Sequence, residues 1–341
     1  MTKIGFYNYY NIYNNNRMFN PEIQAPLGED LLYPMHYLAR VAKEKGISVS
    51  TIDTEPLDSY DAIFFIDFPG YGNRYFRKLL SMKFENMYLF LCENENVKPD
   101  NWRKENYRHF KKVFSWNDRL VDNKKIFKFF LANKIPTPFS FDVSEKTKFC
   151  CMIAANKWND LPGELYSERV RAVRWFEQYH PESFDLYGKG WDFQTPSFFN
   201  PLRPYLKQIR NFFPPKYPSY RGEVASKRAI LSQYKFSICY ENMRDVPGYI
   251  TEKIFDCFFA GCVPIYLGAS NVTEYIPEYT FIDKRKFSDY PELYEFLINL
   301  SDSAYRKYLH SIEEYIQSDK ISPFGAEYFV NTILNEVISS A

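Results

Sequence analysis

The chain of 341 residues carries almost no excess charge: 43 Lys and Arg stand against 42 Asp and Glu, a formal charge of +1. Without a surplus of one sign it lacks the electrostatic footprint of a nucleic-acid binder, and its expected partners are small molecules or neutral glycans. Histidine is scarce: His36, His109, His180 and His310 lie far apart, and no His/Cys/Asp group has metal-ligand spacing, so no metal is expected. The six cysteines, Cys92, Cys150, Cys151, Cys239, Cys257 and Cys262, fall mostly in apolar runs and read as reduced, buried thiols. Glycine is sparse, at 13 residues. Gly188-Lys-Gly190 lacks the third glycine of a dinucleotide fingerprint, and there is no Walker A loop. No apolar stretch approaches the length of a membrane span. Met1-Thr-Lys-Ile-Gly-Phe6 runs directly into a strand-like segment without the features of a signal peptide. The expected location is cytoplasmic, with peripheral contact at the inner membrane face left open, and the sequon at Asn271-Val-Thr273 then carries no weight.

Aromatic residues are abundant instead, with 32 Phe, 29 Tyr and 5 Trp, and most are expected to fill cores. The length predicts two domains with a cleft between them. In the first, strand-like runs at 3–10, 47–53, 60–67 and 87–92 alternate with helical spacing at 31–45 and 74–82. Such alternation predicts a parallel sheet covered on both faces, with ligands at the carboxyl ends of its strands. The proline-containing stretch 133–148 reads as a linker. Beyond it, strands are predicted at 149–154, 183–187, 235–240, 262–267 and 279–282, with helices near 167–178, 222–233 and 251–260. The domain boundaries read as 1–145, 146–305 and a helical segment 306–341 that packs back on the first domain. The Pro-rich basic tract 196–221, with Arg203, Lys207, Arg210, Lys216 and Arg221, reads as a solvated insertion loop, with membrane or acceptor contact as the alternative.

The most informative segment is 235–277, KFSICYENMRDVPGYITEKIFDCFFAGCVPIYLGASNVTEYIP. A buried strand ending at Tyr240 delivers Glu241 and Asn242 to a sheet edge, and the Asp245-Val-Pro-Gly248 loop leads into a helix starting near Thr251. The unpaired N–H groups and positive dipole end of that helix attract phosphate, and Lys253 adds a full charge in the first turn. Ile254, Phe255, Phe258 and Phe259 form its apolar stripe, leaving Glu252 and Lys253 for a cleft. Standing alone, Glu252 and Lys253 would read as ordinary first-turn charges on a solvated helix.

The ordered block Tyr240-Glu-Asn242, Tyr249-Ile-Thr-Glu-Lys253, Ala260-Gly-Cys-Val-Pro-Ile265 and Gly268-Ala269 resembles the donor-binding signature of the fucosyltransferases of glycosyltransferase family 10, of the bacterial type. The resemblance extends upstream through Ala155-Asn-Lys157, Ser167-Glu-Arg-Val-Arg171 and Asp185-Leu-Tyr-Gly188, covering 149–283. It departs from the pattern at Met243, where Ser or Thr is common. The fold it implies is α/β, a GT-B arrangement of two Rossmann-like domains facing across a cleft. The donor it implies is GDP-fucose, bound by Asn156, Arg171, Glu241, Asn242, Tyr249, Thr251, Glu252 and Lys253, with Arg169 and Arg174 as alternatives to Arg171. By the same analogy Glu252 takes a sugar or ribose hydroxyl pair, and Tyr249 and Asn242 serve donor packing and hydrogen bonding.

In the first domain Cys92-Glu93-Asn94-Glu95 follows a buried strand at the place where bacterial members carry Gly-Glu-Asn-Glu. Glu93 is the expected general base, with Glu95 as second choice and Asp67 or Glu29 next. The resemblance implies inversion at the anomeric carbon and an N-acetylglucosamine or glucose acceptor in a surface polysaccharide, joined in an α1,3-type linkage. No Asp-x-Asp motif of the kind that holds a diphosphate-bound cation is present, so no cofactor is expected to be required. A transferase of another GDP-linked sugar and a catalytically silent glycan- or nucleotide-sugar-binding protein stand as the alternatives.

Overall fold

Two strands without a polar face dictate the layering of the first domain. β3 (Ala62–Ile66, AIFFI) and β4 (Met87–Leu91, MYLFL) are buried at every residue, so their sheet must be covered on both sides. The computed structural model describes residues 1–23, 30–142, 146–191 and 217–338. With β1 (Lys3–Asn8), β2 (Ser48–Thr51), β5 (Lys112–Ser115) and β6 (Ile126–Lys128), these strands form a six-stranded sheet in the order β2-β1-β3-β4-β5-β6. Every pairing in it is parallel. Alternate residues serve opposite faces: Phe64 and Phe90 share a core with the buried side of α1 (Tyr33–Glu44), whereas Phe65 and Leu89 share one with α2 (Arg74–Ser81). Asn73 caps α2 by accepting the N–H groups of Tyr75 and Phe76.

The second domain repeats the plan. β7 (Lys148–Ile153), β8 (Phe184–Tyr187), β9 (Tyr234–Tyr240), β10 (Val263–Leu267) and β11 (Ile282–Asp283) pair in the order β11-β10-β9-β7-β8, again all parallel. Its core takes in α3 (Tyr166–Tyr179), α4 (Lys227–Leu231), α5 (Glu252–Phe259), α6 (Tyr290–Ile298) and α7 (Asp302–Gln317).

Several expectations change. The strand expected at 279–282 is a 3-10 turn at Glu278–Thr280 followed by the two-residue β11. The helix expected at 222–233 shortens to α4, because Ser226 caps it by accepting the Ala229 N–H. β5 and β6 were not foreseen; both are short and carry lysines among their few apolar residues. The basic tract lies outside the described residues from 196 to 216, and Arg221 is paired with Asp185.

The two C-terminal helices divide between the domains. α7 buries Tyr305, Leu309, Ile312, Tyr315 and Ile316 in the second core, so it does not return to the first domain as expected of 306–341. α8 (Ala326–Ile338) does reach it, placing Phe329, Val330, Ile333, Leu334 and Val337 against α1 and the sheet. Burial of each such side chain is worth ~1.5–3 kcal/mol before entropy is counted. The chain therefore passes between the domains twice, and the passages touch: Asn133 donates its N–H to Phe324 O at 2.7 Å and accepts that of Ala326 at 3.1 Å. The stretch read as a linker is thus pinned at its start.

Strand order reverses between β1 and β3 in one sheet and between β7 and β9 in the other. At such a switch point the connections leave in opposite directions and open a crevice at the carboxyl ends. Tyr9, Tyr10 and Asp67 follow the first pair of strands; Ala155, Asn156, Glu241 and Asn242 follow the second.

Candidate active site

β4 ends at Leu91 and hands the chain to Cys92-Glu93-Asn94-Glu95. Asp67, just past β3, shapes this turn. It is 2% exposed and adopts φ 65°, a left-handed conformation that Asp tolerates better than most residues. Its Oδ1 accepts the N–H of Cys92 at 2.8 Å, the N–H of Glu93 at 3.0 Å and Nδ2 of Asn101 at 2.6 Å. Burial pushes the Asp67 carboxyl up to about 6, with the charge of Glu93 adding to the rise and the donated hydrogen bonds opposing it. An acid so enclosed is a clamp for the loop and is out of reach of a substrate. Glu29 lies outside the described residues.

The Glu93 side chain is half-buried, and its Oε1 accepts the Tyr10 hydroxyl at 2.8 Å. Burial, and then Glu93, raise the Tyr10 phenol, which therefore stays a donor. Glu93 also reaches across the cleft electrostatically, adding to the burial that raises the Tyr166 phenol at the start of α3. Glu95 is exposed and makes no hydrogen bond or ion pair among the described residues. Asn94 Oδ1, both amide atoms of Asn96 and Trp102 Nε1, in this loop and the 3-10 turn after it, are buried with no hydrogen-bond partner among the described residues.

On the opposite sheet the segment from Tyr240 to Lys253 folds around Glu241, which is fully buried. Its carboxylate accepts the Thr251 N–H at 2.8 Å and the Thr251 hydroxyl at 2.7 Å, tying the end of β9 to the start of α5. Lys253 Nζ lies 3.2 Å from Glu241, 3.5 Å from Glu252 and 2.9 Å from Thr251 Oγ1. Burial opposes the charge on Lys253, but Glu252 and Glu241 outweigh it and raise its pKa. Burial likewise opposes ionisation of Glu252, yet Lys253 and Lys227 hold it at about 2. Lys227, on α4, pairs with Asp256 at 2.6 Å and approaches Glu252 at 3.9 Å. Three cations, Arg169, Lys227 and Lys253, line one pocket with Asp256.

The arginines separate clearly. Arg171 is 69% exposed and paired with Glu168, so the structure does not bring it to this cluster. Arg174 pairs with Glu177 and stacks over Tyr217. Arg169 is 3% exposed and donates to Tyr240 O at 2.6 Å, Glu241 O at 2.8 Å and Asn242 Oδ1 at 3.0 Å. Asn156 stands at the switch point but is engaged with the turn after β8, through Lys189 O at 2.8 Å and Gly190 O at 3.1 Å. Tyr249, expected in donor packing, is buried between the domains instead: its hydroxyl accepts Asn94 Nδ2 at 2.6 Å and its ring lies 4.5 Å from that of Trp116. Tyr10, Lys227 and the clamping role of Asp67 escaped the sequence reading. For Tyr10 and Asp67 the available signal was a charged or aromatic residue one or two places past a buried strand; Lys227, at the start of α4, carried none.

A family model described as glycosyltransferase family 10 (fucosyltransferase), C-terminal part, matches residues 143–321. An alpha-(1,4)-fucosyltransferase of Arabidopsis thaliana is 42% identical over 80 residues, 23% of this chain and 20% of that protein. The alpha-(1,3)-fucosyltransferase FucT of Helicobacter pylori is 35% identical over 88 residues, 26% of this chain and 16% of that one. The matched stretches thus span a fifth or less of those relatives' length. A crystal structure of an alpha1,3-fucosyltransferase with GDP-fucose superposes with a TM-score of 0.55 at 15% identity, over 98% of this chain and 90% of that one. A glycosyltransferase from Rickettsia africae gives 0.57 at 10% identity, over 100% and 99%. At those identities the likeness concerns the fold, the GT-B arrangement of two parallel-sheet domains. Together with the family model, which spans more than half of the sequence, it establishes that this chain belongs to glycosyltransferase family 10, the fucosyltransferases.

Proposed function

We propose that the protein is an inverting fucosyltransferase that moves L-fucose from GDP-fucose to a hydroxyl of a glycan acceptor, with Glu93 as general base. The observation that carries the reading is the 2.6 Å hydrogen bond between Asn94 and Tyr249. It joins the residue after Glu93 to the residue two before Thr251, so the acid of one sheet edge and the cationic helix start of the other share one cleft. Unpaired buried polar atoms of Asn94, Asn96 and Trp102 support a functional role for the loop, since each costs about 1–3 kcal/mol that a purely structural turn would avoid.

In this reading Glu93 takes the proton of the acceptor hydroxyl as its oxygen bonds to the anomeric carbon. The bond from that carbon to the β-phosphate oxygen breaks on the opposite face. GDP departs with the electron pair, and a β-linked donor becomes an α-fucoside. Lys253 and the N–H groups at the start of α5 stabilise the diphosphate, and Arg169, in place of Arg171, adds its charge from behind them while it holds the end of β9. The acceptor sugar we assign is N-acetylglucosamine or glucose in a surface polysaccharide, joined in an α1,3-type linkage. The α1,3 linkage is supported by the alpha-(1,3) activity named for the Helicobacter pylori relative.

The test is a transfer assay with GDP-fucose, GDP-mannose and UDP-sugars against lactosamine-containing acceptors, with and without added divalent metal. GDP-fucose is expected to be used without metal. Glu93→Gln is expected to slow transfer by about 10²–10⁴-fold while calorimetric GDP binding persists. Preference for a UDP-sugar, or an undiminished Glu93→Gln rate, overturns the reading.

A further inference from the structure

The environment of Glu93 is built asymmetrically. Its Oε1 is taken by the Tyr10 hydroxyl at 2.8 Å, while Oε2 has no hydrogen bond among the described residues. Its backbone is fixed independently, since its N–H is donated to Asp67 and its carbonyl accepts Asn101 Nδ2 at 3.2 Å. Tyr10 is itself held. Asn8, the last residue of β1, accepts the Tyr10 N–H at 2.7 Å, and the Tyr10 carbonyl accepts the Tyr13 N–H at 3.1 Å to start a 3-10 turn. Tyr10 and Asp67 thus come from the two strands that flank the switch point and converge on one acid of a third strand.

We infer that Tyr10 is a positioning residue that occupies Oε1 of Glu93, fixes the carboxylate plane and leaves Oε2 as the atom that accepts the acceptor's proton. The inference rests on the assignment of Glu93 as base. A phenol hydrogen-bonded to a carboxylate removes one of the two equivalent ways in which the acid could meet a substrate. It also prevents the side chain from swinging out of line. Pre-set orientation of this kind acts on the chemical step and leaves binding largely alone. The nucleotide cluster around Glu241 and Lys253 does not include Tyr10, so donor affinity is independent of it.

A double-mutant cycle tests this with wild type, Tyr10→Phe, Glu93→Gln and the double variant, each measured for kcat, acceptor KM and calorimetric GDP affinity. Tyr10→Phe is expected to lower kcat by about 10- to 100-fold, the range for losing a hydrogen bond to a charged group. Acceptor KM and GDP affinity stay near wild type, and intact GDP binding also reports that the variant is folded. In the Glu93→Gln background the same change is expected to add little, because the group through which Tyr10 acts is already gone. A Tyr10→Phe enzyme with wild-type kcat overturns the proposal, as does a loss confined to KM or a loss that multiplies in full on Glu93→Gln. A wild-type rate for Glu93→Gln itself overturns the base assignment first, which separates the two failures.

Discussion

Asp67 shows how a residue's chemistry is decided by what encloses it. Its carboxyl is held near 6 because burial, the largest influence, disfavours the charge, and the neighbouring Glu93 adds to it. The folded acid binds its proton more tightly than the usual 3.8, so the charged form costs stability above about pH 6, and this cost fades as pH falls toward the ordinary value. Asp67→Asn keeps an oxygen for the loop's N–H donors, keeps tolerance for the left-handed backbone and removes the charge. The expected result is a higher unfolding midpoint than wild type at about pH 8, with the difference gone near about pH 4. Thermal denaturation across that range is the check, and a pH-independent difference counts against the argument.

At the scale of elements, the Asp245-to-Gly248 loop joins the domains as well as delivering α5. Gly248 sits at φ 78°, and a Cβ there would lie 2.2 Å from Trp116 O and 2.7 Å from Lys128 Nζ. The Trp116 carbonyl is backbone and cannot swing aside. Gly248→Ala is therefore expected to cost about 2 kcal/mol or more, from the sum of conformational strain and the clash. Because the displaced loop carries Tyr249 and Thr251, GDP affinity should fall in the same variant. Denaturant titration and calorimetry on one preparation test both, and a wild-type midpoint would falsify this account of the loop.

For the molecule as a whole, docking of the two domains depends on Asp118, which follows β5. It bonds Lys128 at 2.5 Å on its own side and Asn271 Nδ2 and the Tyr275 hydroxyl, both at 2.9 Å, on the other. Burial works against its charge, but these partners outweigh it and hold the carboxyl below its usual range. A depressed acid contributes stability that is fully present above the unfolded value and is lost as pH falls through the folded one. Asp118→Asn is expected to lower the unfolding midpoint at about pH 7, with the gap to wild type closing below about pH 4. A gap that persists unchanged in acid would show that the junction draws its strength elsewhere. The 2.6 Å contact of Asn94 with Tyr249 lies on the same junction, so loosening it should also lower activity.

The local structure of the 235–277 segment was legible because its parts are neighbours in sequence: the buried run ending at Tyr240, the glycine before Tyr249, the cap at Thr251 and the stripe of α5 span about forty residues and are fixed by local periodicity. Arg169 could also have been found from helical phase, since it shares the buried stripe of Ala172, Val173 and Phe176 while Arg171 points outward. Other features were beyond any local reading. Glu93 meets Tyr10 across 83 residues, and Asn94 meets Tyr249 across 155. The sequence by itself determined the alternating elements, the parallel sheets and the strand-to-helix turn between Tyr240 and Thr251, because these follow from burial patterns within a few turns of chain. Only the tertiary structure decided which acid is clamped, what the buried arginine holds and which tyrosine joins the domains, because those contacts exist only once strand order and domain docking have brought distant residues to the same edge.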